Sequence, residues 1–119
     1  MQYMLMIYVQ ECGWDTLSPE QQQSAMAAYG AYIQALSEAG ALVSNNRLTP
    51  SSTATTVRVA DGKTQVLDGP FSHSKEQLGG FFIIEAADLD AAIAWAARCP
   101  GAQHGTMEVR AIPAMPPRG

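Results

Sequence analysis

Side chains able to do chemistry on a small molecule cluster in a few places along the chain. Asp68 opens the run Asp68-Gly69-Pro70-Phe71, where a carboxylate ends an apolar stretch and a Gly-Pro step fixes its direction. Such an Asp can act as a general acid or base, or it can form an Asx turn by accepting backbone N–H bonds. Tyr29 falls at helical spacing with other apolar residues; it reads as core or, because a buried phenol seeks a polar partner, as a pocket hydroxyl. Glu108 and Arg110 alternate with Met107 and Val109, so both charges fall on one side of a strand. Once buried there, Arg110 needs a carboxylate from Glu85 or Glu108, as an interfacial ion pair or as part of an anion-binding site. Gly79 and Gly80 strip side chains from a loop-to-strand junction and admit a neighbouring segment or a ligand. Lys75 and Glu76 read as solvated charge, or as a short turn capped by Ser74.

These groups need elements to hold them. Gln2 to Val9 is a continuous apolar run with side chains for both faces of a strand. Ser18-Pro19-Glu20-Gln21 supplies an N-cap, a first-turn proline and a capping-box Gln, and Met26, Tyr29, Ile33 and Leu36 follow at helical spacing. A helix is therefore predicted from Pro19 to Ala39, ended by Gly40. Leu42 and Val43 start a strand, and Asp61-Gly62 between "TTVRV" and "TQVL" predicts a tight hairpin that leads into Asp68. "GFFIIEA", Gly80 to Ala86, is the next strand. Asp88 caps a second helix with Leu89, Ala92, Ile93 and Ala96 on one stripe, stopped by Cys99-Pro100-Gly101. Gly105 to Ile112 is the last strand, and residues 112–119 form an irregular, proline-rich tail. The order β-α-β-(hairpin)-β-α-β predicts an α+β, ferredoxin-like subunit with an antiparallel sheet, one domain over residues 1–119. Helices cover one sheet face only, so the apolar residues of the other face predict a homodimer with sheets meeting face to face.

The composition excludes several functions. The 119 residues carry 7 Lys and Arg against 11 Asp and Glu, a net charge of −4, with no basic stripe for phosphate backbones, so nucleic acid is not an expected partner. Only 15% of residues are charged, below the roughly 25% of ordinary soluble domains, which fits surface hidden in an oligomer. The opening "MQYMLMIYVQ" is too short to span a bilayer and lacks a basic flank and cleavage site; no membrane association is expected, and the location is expected to be cytoplasmic. Cys12 and Cys99 have no metal or redox spacing and read as free thiols. His73 and His104 lie in loops without a third ligand, so no metal is expected, and no nucleotide-cofactor motif is present.

"DGPFSHSKEQLGGFFIIEA", with "YMLMIYV", "LSPEQQ", "ATTVRVADGKTQVLDGPF", "AIAWAARCP" and "MEVRAIP", resembles the YCII-related family, in particular its DGPF-motif subgroup, over nearly the whole chain. The resemblance implies a dimeric α/β barrel of ferredoxin-like subunits, most of whose relatives have no established reaction. Some members are associated with sigma factors of the extracytoplasmic-function type, which implies a regulatory interaction protein as the alternative to a small-molecule-binding barrel. Enzymes of the broader family resemble one another in a His and Asp pair beside a pocket. The matching positions here are Tyr29 and Cys99, the latter before Pro100. The expected site takes Asp68 and Tyr29 as acid–base groups between sheet and first helix. Gly69, Pro70, Phe71, Gly79, Gly80, Glu85 and Arg110 stand around the ligand, with no cofactor.

Overall fold

A computed structural model describes residues 1–115. Four strands form one antiparallel sheet: β1 (Gln2–Val9), β2 (Leu42–Arg47), β5 (Gln77–Glu85) and β6 (Thr106–Ile112), in the order β2-β5-β1-β6. Each β-α-β crossover straddles a strand of the other, the interleaving of a ferredoxin-like fold. On β1, Tyr3, Leu5 and Ile7 are buried, and on β5, Phe82 and Ile84; these alternate residues face the helices.

Helix α1 (Pro19–Glu38) begins as its sequence predicts. The Ser18 hydroxyl accepts from the Gln21 N–H at 3.2 Å, and the Gln21 side chain accepts from the Ser18 N–H at 2.9 Å. It ends in a Schellman motif, in which Ala41 N–H donates to the Leu36 carbonyl and Gly40 N–H to that of Ser37. Gly40 adopts φ +67°, which a side chain would strain. Tyr32 and Leu36, not Met26, carry the buried stripe: Met26 is exposed. Tyr32 packs edge-on to Phe82, with centroids 5.2 Å apart, and its hydroxyl donates to the Trp95 carbonyl at 2.7 Å.

Helix α2 (Leu89–Arg98) is capped by Asp88, whose carboxylate accepts from Ala91 N–H at 2.9 Å. Its buried face is Ala92 and Ala96; Leu89 and Ile93, expected on the same stripe, are about half exposed. Small side chains let this helix lie close to the sheet, and the bulkier pair is left at the margin. Cys99-Pro100 stops α2 as expected, but the chain then makes a short helix, α3 (Gly101–His104), which the Pro-Gly signal concealed. No helix among the described residues is long and apolar enough to cross a membrane.

Strands β3 (Thr55–Ala60) and β4 (Lys63–Asp68) pair around Asp61 and Gly62, both at positive φ, as the Asp-Gly signal predicts. They form a separate two-stranded sheet that stands away from the rest. The radius of gyration is 16.7 Å, against roughly 13.5 Å for a compact chain of this length. Glu11 anchors the approach to the hairpin: its carboxylate accepts from both the N–H and the hydroxyl of Ser51. Strand β5 starts at Gln77, three residues before the expected Gly80, and β6 ends at the expected Ile112; the part of the tail from 116 to 119 lies outside the described residues.

Candidate functional site

Tyr29 and Asp68 are carried by different parts of the fold. Tyr29 sits on α1, half-buried on the helix side of the four-stranded sheet, where its hydroxyl meets the Cys99 thiol and the Gly101 N–H. Burial pushes the phenol up to about 12, with a further push from neighbouring Cys99, offset in part by the Gly101 N–H. Burial also pushes the Cys99 thiol up. At neutral pH both groups keep their protons, so Tyr29 and Cys99 present neither a phenolate nor a thiolate. An unfolded tyrosine titrates near 10, so the folded chain retains a proton that the unfolded one has lost. Stability is therefore full below about pH 10 and is lost as pH rises through about 12. The denaturation midpoint should fall between about pH 9 and pH 11, and Tyr29→Phe should flatten part of that fall. An identical slope in the variant would exclude Tyr29 as the source.

Asp68 is exposed at the base of the hairpin, paired with Thr55. The turn after it is built by the backbone: Gly69, at φ +105°, donates its N–H to the Ala54 carbonyl at 2.6 Å and accepts from the Thr56 hydroxyl at 2.8 Å. Pro70 is half-buried, while Phe71 is 81% exposed and packs into no core of its own chain. Gly80 serves a neighbouring strand, since a Cβ there would come within 2.8 Å of the Asn46 carbonyl oxygen on β2; Gly79 lies where β5 slips register against β1. Glu85 pairs with the Met1 amine at 3.0 Å. Arg110 faces outward on β6, opposite Met4, with no ion-pair partner among the described residues.

Sequence reasoning did not assemble a different group of residues. Tyr8, Ser74, Glu76, Thr106 and Glu108 line a cleft of about 360 Å³ at one end of the helix-free sheet face. Cross-strand register places Tyr8 opposite Thr106 and Met6 opposite Glu108, so the phenol and both β6 side chains share that face. Glu76 reaches over from the loop before β5 and accepts from the Thr106 hydroxyl at 2.7 Å. That loop is not a helical turn: Ser74 bonds the Glu76 carbonyl, and the Gln77 amide bonds the carbonyls of Ser72 and Ser74. The available signal was the outward alternation of Tyr8, Glu108 and Thr106, whereas the Glu76 link spans 30 residues and leaves no local pattern. No group of three His, Cys, Asp or Glu side chains among the described residues could hold a metal.

An antiparallel sheet with its helices on one face and a cleft on the other defines an α+β protein consistent with the ferredoxin-like class. The chain belongs to the YCII-related family: the sequence model of the YCII-related domain matches residues 1–116. It is also similar to an uncharacterised protein of Rhizobium meliloti (strain 1021), 37% identical over 114 residues that cover 94% of this chain and 92% of the relative.

Proposed function

We propose that the protein is a homodimeric small-molecule-binding member of the DGPF-motif subgroup, with its ligand cleft on the helix-free sheet face between Tyr8, Glu76 and Glu108. One observation carries this reading: the cleft opens on the same face as Met4, Met6, Phe81 and Ile83, apolar side chains that no helix covers. A second subunit laid sheet to sheet, as in a dimeric α/β barrel, hides those side chains and roofs the cleft, turning an open depression into an enclosed site. Two carboxylates beside a phenol and hydroxyls suit a ligand that presents N–H or O–H donors, such as a small amine or polyol. Acid–base work on it falls to Glu76 and Glu108 in place of Asp68 and Tyr29. Two unpaired cysteines fit a reducing, cytoplasmic setting.

Thermal unfolding against a panel of small amines and polyols tests the cleft. A ligand at a hundredfold excess over its Kd stabilises the wild type by about 2.7 kcal/mol. Glu108→Gln should lose that shift. An equal shift in the variant, or none from any compound, rules the cleft out.

A second reading has its own support. The exposed apolar side of the β3–β4 hairpin favours an interaction protein that works with an extracytoplasmic-function sigma factor through its surface. Copurification of such a factor with the wild-type chain, lost on Val57→Lys, is the outcome that separates this reading from ligand binding.

A further inference from the structure

The β3–β4 ribbon exposes four large apolar side chains, three of them on one face. Its register places Val57 opposite Val66 and Val59 opposite Thr64, so three valines share one face with Thr55, Thr64 and Asp68, while Thr56, Arg58, Ala60, Lys63, Gln65 and Leu67 share the other. The valines are 59%, 60% and 68% exposed for Val57, Val66 and Val59. The alternation Val57-Arg58-Val59 along β3 belongs to a strand with one side packed and one side wet. A lone two-stranded ribbon in water is marginal at best, so the ribbon needs cover that its own chain does not give among the described residues.

The area of the chain indicates what covers it. The accessible surface is 8499 Å², against roughly 6,200 Å² for a compact 12.7 kDa chain. The excess of about 2,300 Å² is well above the roughly 800 Å² that each partner gives to an ordinary interface, and matches one side of a large permanent dimer. Both the unpaired sheet face and the unpaired ribbon belong to this chain, and a two-fold dimer buries both twice in one step.

We infer that the β3–β4 hairpin is an arm that crosses to a second copy of this chain and lays its Val57, Val59 and Val66 face on that copy, widening the margin of the facing-sheet interface. The inference rests on the homodimer proposed above and adds the element that holds it together. Asp68 and Phe71, at the base of the arm, are thereby carried toward the second copy, and this gives the exposed Phe71 a surface to meet.

Light scattering and hydrogen exchange on the full chain, with the double variant Val57→Lys/Val59→Lys, provide the test. The arm predicts a wild-type dimer, backbone amides of β3 and β4 slowed at least about a hundredfold relative to an unfolded peptide, and a dimer Kd raised at least about tenfold in the variant. A dimer whose hairpin amides exchange freely and whose variant associates as tightly as wild type overturns the arm and leaves the homodimer standing, with the valine face open to another protein. A monomer at micromolar concentration overturns both. If the variant misfolds by circular dichroism, the wild-type exchange pattern decides alone: fast exchange in the dimer, or equal protection in a diluted monomer, rejects the arm.

Discussion

Gly105→Ala is expected to cost about 3 kcal/mol of stability, large for the loss of no side chain at all. Gly105 has φ −154° and ψ −146°, outside the left-handed region, so no positive-φ strain adds to the cost. It comes from space: a Cβ at Gly105 lands on the Tyr8 carbonyl oxygen and within 3.0 Å of Val9 Cγ1. Tyr8 pairs with Thr106, the first residue of β6, so relief requires the start of β6 to move away from β1. The same movement pulls Thr106 from Glu76 and opens the cleft. Urea denaturation of the variant, with Gly30→Ala as control, measures this. Gly30 lies within α1 with open space where a Cβ would stand, so alanine there should stabilise by roughly 0.5–1 kcal/mol. Equal stability of Gly105→Ala and wild type would mean that the β1–β6 contact yields without cost.

Leu36→Ala is expected to lose about 2–5 kcal/mol, because Leu36 is fully buried and its removal leaves a cavity as well as lost transfer energy. For a chain of this size that lowers Tm by on the order of 10 °C or more. The backbone carbonyl of Leu36 also receives the Ala41 N–H, a bond the alanine variant keeps, so the loss measures the side chain's packing alone. Met26→Ala, on the exposed side of the same helix, should fall within about 0.5 kcal/mol of wild type. Similar losses for the two variants would contradict the packing described for α1.

Local chemistry was legible in the sequence wherever a few neighbouring residues decide the outcome. Ser18 with Gln21, Asp88 before α2, Gly40 after α1 and Asp61-Gly62 in the hairpin all act within four residues, and the structure has each of them in its expected place. The alternation along β1 likewise announced a strand with apolar residues on both sides. What the residues did not announce depends on contacts between distant segments. Whether Leu89 or Ala92 faces the sheet is decided by how closely α2 approaches it. Asp68 and Tyr29 could be paired on paper because nothing local says that the hairpin stands apart as a separate sheet. Glu76 looked like one more solvated charge because its partner, Thr106, lies 30 residues further along the chain.

The contrast between the two cysteines gives the protein a built-in pair of chemical reporters. Cys12 is exposed beside the loop after β1, while Cys99 is 1% exposed and holds its proton more tightly than an ordinary thiol. An alkylating reagent therefore reads Cys12 as surface and reaches Cys99 only when α2 and the turn behind it come away from α1. The rate at which Cys99 is capped becomes a clock for that opening. Because Tyr29 and Gly101 stand against Cys99, the clock reports on how tightly α1 is held to the turn between α2 and α3.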